Sequence, residues 1–142
     1  RGLKELPGLS DSVECGVSQY VKCIEEQLSV QLGDAHTNLK RLDDGLRQGR
    51  VRIKGRPVSL EPFHREAQVV VDRAVGALRN RIGSAHQEID QIVVVGGGAP
   101  YFIAGLRAAF PEHPIATVSD PVCANVRGFQ LIGELYQRRA LA

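Results

Sequence analysis

No apolar run in this sequence approaches the ~18–20 residues that a membrane-spanning helix needs, and no signal-like segment opens it. A helical membrane protein is excluded, and a cytoplasmic one is expected. The formal charge of +2 is too small to argue for a nucleic-acid partner. Cysteine is scarce. Cys15, Cys23 and Cys123 fall in no metal-ligand spacing and would leave an odd thiol if two paired, so reduced thiols, mostly packed in a core, are expected. His36, His64, His86 and His113 are scattered singly among polar neighbours, which argues against a metal site and makes surface histidines the default. What is present is an ordinary soluble-globular balance, 43% hydrophobic and 24% charged, in 142 residues. That length suits one compact domain with a core and is short for two. The first residue is Arg rather than Met, which suits a processed product or an excised fragment, and a fragment is the expectation here.

Residues 1–12 are rich in Gly, Pro and Ser and read as an irregular lead-in. Asp11 or Ser12 can cap a first helix, because Val13, Val17, Tyr20, Val21, Ile24, Leu28 and Leu32 recur at helical spacing up to Gly33. A weaker helix is predicted over 34–48, with Leu39, Leu42 and Leu46 on its apolar side and Gly49 after it. Val51 and Ile53 then alternate with Arg50, Arg52 and Lys54. A turn over 55–57 leads into Val58 and Leu60, so the segment reads as a hairpin with one buried face. Its basic residues, with Arg56, are open to two readings: a solvated strand face, or a phosphate or partner patch. Ser59 can cap a long helix with Pro62 in its first turn, and Phe63, Ala67, Val70, Val71, Ala74, Leu78, Ile82, Ala85 and Ile89 hold its apolar stripe.

The last third changes character. Residues 91–95 form a continuous apolar strand of the kind buried on both faces in a parallel sheet. Glycines 96–98 come next, then a helix over 101–110, a strand over 115–118, a turn at Asp120 and Pro121, and a helix over 122–139. Strand, helix, strand and helix at this spacing is α/β architecture with a right-handed crossover. Glycines at the carboxyl end of a strand let a ligand approach the backbone, and the helix after them turns its positive end toward the same space. A flat, anionic ligand such as a nucleotide fits that chemistry. A dinucleotide fingerprint would take Gly96 and Gly98 as its start and Asp120 as its ribose acid. Position 101 is Tyr where that fingerprint needs Gly, and the upstream chain is mainly helical. A glycine turn kept for tight packing alone is the third reading.

The segment Val94-Val-Gly-Gly-Gly-Ala-Pro-Tyr resembles the adenosine motif of the actin, sugar-kinase and heat-shock-chaperone ATPase superfamily. Ser119-Asp-Pro-Val-Cys-Ala-Asn-Val-Arg-Gly-Phe-Gln-Leu-Ile-Gly resembles the closing segment of the plasmid-segregation actin-like ATPases, the ParM/StbA group of bacteria. The order of elements is similar to subdomain two of that superfamily across most of the chain, while the residue-level likeness covers about 91–136. The resemblance implies a ribonuclease-H-like α/β fold with a small, mostly parallel sheet packed by helices. Residues 1–33 and 91–142 would form its inner part, and 34–90 an outer part carrying the hairpin and the long helix.

It also implies a site. Gly96 and Gly97 would lie against the ribose and α-phosphate, Gly98 would complete the turn, and Pro100 and Tyr101 would border the adenine. Lys40 and Arg41, with Asp44 as a third, fall where the family faces adenine and ribose; they read equally as solvated helix charges. The family often has an acidic residue where Arg41 falls. Nothing here matches the Asp-x-Gly phosphate loops or the water-positioning residue of the superfamily, and those groups provide nearly all the rate enhancement in phosphoryl transfer. The expectation is therefore an adenine-nucleotide-binding half of a filament-forming ATPase, inactive by itself. The parent would bind ATP or ADP with Mg²⁺ between this half and an N-terminal half. An exposed sheet edge would favour self-association. The alternatives are a filament-contact module of the same fold without nucleotide, and a dinucleotide-binding redox domain.

Overall fold

Apolar spacing of three and four builds the first helix. In the computed structural model, which describes residues 8, 9, 11–33 and 38–140, this is α1, Val17–Leu32, with Tyr20, Val21, Ile24 and Leu28 buried. It starts later than a cap at Asp11 or Ser12 would place it. Gly16 holds the cap position in an extended conformation, and Val13, whose carbonyl accepts from the Cys15 N–H at 2.9 Å, stays outside the helix and 48% exposed. Gly33, in the left-handed region, closes α1 by donating to the Ser29 carbonyl. Next comes α2, Leu39–Gln48, whose first turn is capped by the Asn38 side chain accepting from the Lys40 N–H. The expected start at 34–37 lies outside the described residues. Leu42 and Leu46 are buried as the spacing predicts, whereas Leu39 is exposed.

The hairpin consists of β1, Arg50–Ile53, and β2, Arg56–Ser59, antiparallel, with Val51 opposite Val58 and Arg52 opposite Pro57. Its turn is Lys54 and Gly55, both at positive φ (48° and 80°), the two-residue geometry that matches strand twist. The turn therefore lies earlier than 55–57, and Pro57 belongs to β2. Then α3, Glu61–Ile82, buries Phe63, Ala67, Val71 and Val75. Leu60 rather than Ser59 is its cap residue, although the Ser59 hydroxyl accepts from the Glu61 N–H at 3.4 Å. The apolar stripe continues to Ile89 in sequence, but the helix stops where Gly83, at φ 52°, donates to the Arg79 carbonyl; Gly83–Glu88 is a 3-10 turn. α1 packs on α3, and α2 packs on α1 and β1. Each fully buried aliphatic side chain among them, such as Ile24, Leu28, Leu42 or Leu60, contributes roughly 1.5–3 kcal/mol.

Two histidines leave the surface role expected of them. The Tyr20 hydroxyl and His64 Nδ1 are 2.6 Å apart in a partly buried pair, and His113 stacks edge-on against Phe110 with centroids 5.8 Å apart. The cysteines are all free, with Cys15 buried, Cys23 half-buried and Cys123 exposed.

The described residues fall into two compact units, one ending at Gly83 and one beginning at Ser84. The second contains β3, Ile92–Val94, α4, Ala99–Ala109, β4, Ile115–Thr117, and α5, Ala124–Ala140. β3 and β4 pair in parallel, Ile92 with Ile115 and Val94 with Thr117, with α4 as the crossover that parallel strands require. Burial on both faces does not hold here, because this sheet has only two strands among the described residues and Val93 is 50% exposed. α4 begins before Tyr101, since Pro100 is tolerated in a first turn, and α5 begins after Val122. Among the described residues no helix is long and apolar enough to cross a membrane.

Candidate functional site

A parallel pair places the carboxyl ends of both strands on the same edge, so the segments leaving β3 and β4 start side by side. The Gly96 N–H donates to the Pro121 carbonyl at 2.7 Å, joining the glycine turn after β3 to the loop after β4. Gly96 sits at φ 97°, a conformation that side chains strain to adopt, so glycine there is set by the backbone. Its carbonyl accepts from the Ala99 N–H at 3.1 Å, and the Gly98 carbonyl from the Tyr101 N–H at 3.0 Å, which starts α4 directly from the turn. Pro100 is exposed in the first turn and Tyr101 is half-buried.

Gly97 differs from Gly96. Its φ lies outside the left-handed region, and a Cβ there would meet only Val122 Cγ2, at an ordinary 3.8 Å. Neither backbone conformation nor packing within the chain requires glycine at 97. Tight packing alone therefore does not account for Gly97.

Asp120, the acid of the dinucleotide reading, is already committed. Its carboxylate accepts from the Cys123 N–H at 3.3 Å and lies 3.2 Å from the Arg127 guanidinium, one turn into α5. It holds the turn that leads into α5, which together with Tyr at 101 leaves that reading without its two defining features.

The candidate residues divide between the two units. Gly96, Gly97, Gly98, Pro100 and Tyr101 converge at one strand end of the second unit. Lys40 and Arg41 lie exposed in the first turn of α2 in the first unit, where the Lys40 N–H is used by the Asn38 cap. Arg41 and Asp44 line a groove of about 500 Å³ together with Gly45, Gln48 and the strand residues Arg50, Val51, Arg52 and Pro57. Lys40 is outside that lining. Sequence reasoning missed this convergence of Arg41 with Arg50 and Arg52. The signal for it was Gly45, where a Cβ would stand 3.0 Å from the Arg50 carbonyl oxygen and 3.1 Å from Val51 Cβ, so that glycine lets α2 lie close to β1 without displacing it. Among the described residues no group of three or more His, Cys, Asp or Glu side chains is placed to hold a metal ion.

A family described as archaeal actin homologue MreB-like, C-terminal, matches residues 1–107. Among solved structures, the chain is similar to a non-polymerisable quadruple mutant of pCBH ParM (TM-score 0.77, 16% identity, 92% of this chain and 39% of that one). It is also similar to the whole structure of a 15-stranded ParM filament from Clostridium botulinum (0.76, 16%, 92% and 38%) and to Ta0583, an archaeal actin homolog (0.75, 16%, 91% and 41%). At these identities the likeness is one of fold, and the chain spans about two-fifths of the length of each of these proteins. No curated protein matches it in sequence.

Proposed function

The chain belongs to the archaeal actin homologue MreB-like C-terminal family, and from that premise we propose that it is the adenine-nucleotide-binding portion of a filament-forming actin-like ATPase. The observation that carries this reading is the glycine turn that leaves β3 and starts α4, with Gly96 at φ 97° and open space beside Gly97, where a Cβ would meet only Val122. The space a side chain would fill there is the space a ribose needs. Gly96 and Gly97 present backbone to ribose and α-phosphate, Gly98 launches α4, and Pro100 and Tyr101 border the adenine. The start of α4 contributes the positive end of its peptide dipoles. Lys40 and Arg41 are assigned to the same ligand by resemblance alone.

The groups that grip the β- and γ-phosphates and Mg²⁺ belong, in this reading, to a partner half of the parent protein, so the chain by itself binds nucleotide weakly and does not hydrolyse it. Assembly into filaments, and work such as plasmid or DNA segregation, are functions proposed for the parent. Self-association is supported by the bare surface of the second unit. Val93 on the sheet and Val126, Phe129 and Tyr136 on α5 are exposed, and each strand of the two-stranded sheet has one unpaired edge among the described residues. That same surface favours the second reading, a filament-contact module without nucleotide.

Calorimetric titration of the chain with adenosine, AMP, ADP and ATP separates the two. Saturable binding of adenosine and AMP with a dissociation constant near the millimolar range, about 4 kcal/mol, is the expected result. No adenosine or AMP binding, with concentration-dependent association retained, would select the contact module.

A further inference from the structure

The groove between α2 and β1 contains a charge arrangement of which the adenosine reading uses only Arg41, and that by resemblance. Arg50 and Arg52 stand two residues apart on β1, and that spacing puts both on one face of the strand. Arg41 reaches the same groove from α2. Three arginines thus line a groove that includes one acidic residue, Asp44. Among the described residues none of the three arginines forms an ion pair; the acid of α2 that is paired, Asp43, is taken by Arg47 at 3.6 Å. Like charges gathered without partners repel, and an anion between them removes that repulsion.

The scaffold beneath is fixed. Gly45 lets the helix lie against β1, Val51 and Leu42 are buried under the groove, and the Leu60 N–H donates to the Gly49 carbonyl at 3.0 Å, tying the end of the hairpin to the end of α2. The arginines therefore stand on packed, hydrogen-bonded elements. At about 500 Å³ the groove lies within the roughly 300–1,000 Å³ of small-molecule pockets, and one short helix face and one short strand bound it. An extended acidic peptide would need a longer track. Guanidinium forks match phosphate oxygens in pairs, and several forks around one compact space suit a ligand with several charges in few atoms.

We propose that the groove formed by Arg41, Arg50 and Arg52 is a binding site for an oligophosphate group, separate from the adenosine-binding turn. Free pyrophosphate and the phosphate tail of a nucleotide share that chemistry.

The test is titration of the full chain with inorganic pyrophosphate, monitored by amide NMR and repeated at increasing salt. The expected result is saturable shifts confined to α2 and the hairpin, weakening as salt rises. Arg50→Gln and Arg52→Gln should each weaken binding about tenfold, and the double variant should abolish it. Arg52→Lys, which keeps the charge and loses the fork, should fall between. Adenosine added to the pyrophosphate-loaded chain should leave these shifts in place, whereas ADP should compete through its phosphates. Shifts scattered over the surface, equal binding by the double variant, or displacement of pyrophosphate by adenosine would each overturn the proposal. Because mapping on the unaltered chain stands by itself, a variant that failed to fold would not rescue it. Its failure would also leave the adenosine reading untouched, since that is read at residues 96–101.

Discussion

The Tyr20 hydroxyl lies 2.6 Å from His64 Nδ1, a hydrogen bond between residues 44 apart in sequence that ties α1 to α3. Tyr20 is buried, so the ring contributes packing and the hydroxyl contributes the bond. Tyr20→Phe should keep the fold and lose about 1 kcal/mol. Tyr20→Ala should lose about 3–5 kcal/mol through the cavity. Urea denaturation checks both. No loss in Tyr20→Phe would mean the hydrogen bond is worth nothing here.

Gly45 and Gly76 make a matched pair on two helices. A Cβ at 45 would press on the Arg50 carbonyl and Val51, while a Cβ at 76 meets nothing within 4 Å. Gly45→Ala should destabilise by about 1–3 kcal/mol, as overpacking does. Gly76→Ala should stabilise by roughly 0.5–1 kcal/mol by restricting the unfolded chain. Thermal melts of both, with shifts of opposite sign, are the expected outcome.

These pairs also mark what the sequence could reveal. The α3 stripe, the β3–α4–β4 order and the glycine turn are legible because each rests on local spacing: 3.6-residue periodicity for the helix, strand-then-glycine for the turn. Helix starts are less so. Ser59 and Ser12 are good caps in isolation, yet Leu60 and Gly16 hold those positions because the preceding chain is engaged in the hairpin and in the turn at Val13 and Cys15. Val93 reads as buried from sequence, since an apolar strand looks the same whether or not neighbouring strands cover it. The arginine groove is invisible for another reason. Its three arginines line one groove only because α2 lies close to β1 at Gly45, and nothing in the charge pattern distinguishes them from a solvated face.

Burial pushes the Cys23 thiol up, and the nearby Glu26 and Glu66 carboxylates add to the effect. With iodoacetamide at mildly alkaline pH, exposed Cys123 should react first and Cys23 later, by peptide mass mapping. The Cys23 rate should reach its maximum at a higher pH than that of an unburied thiol in a short peptide. The stability consequence has a definite sign. The folded thiol stays neutral to higher pH than the unfolded one, so this contribution is intact below about pH 8.5 and is lost as pH rises from there through the folded value. Cys23→Ser should flatten the alkaline side of the stability profile.

The exposed α5 face should show itself in solution. Val126 and Phe129 are 68% and 74% exposed, and the β3–β4 sheet offers unpaired strand edges among the described residues. Light scattering should find a dimer or larger species as concentration rises, and Phe129→Asp with Val126→Asp should lower the apparent mass. A monomer throughout the accessible range would remove the support for self-association.

The proposed placement of adenosine at this turn depends on Gly97. AMP titrated into the chain and monitored by the amide signals of residues 96–101 should give saturable shifts with a dissociation constant near the millimolar range. Lys40→Ala should weaken that binding by a small factor. Gly97→Val should abolish it, while the melting temperature and the remaining spectrum change little, because a Cβ at 97 meets only Val122 at 3.8 Å. A Gly97→Val chain that bound AMP as well as the parent would contradict the placement of adenosine at this turn.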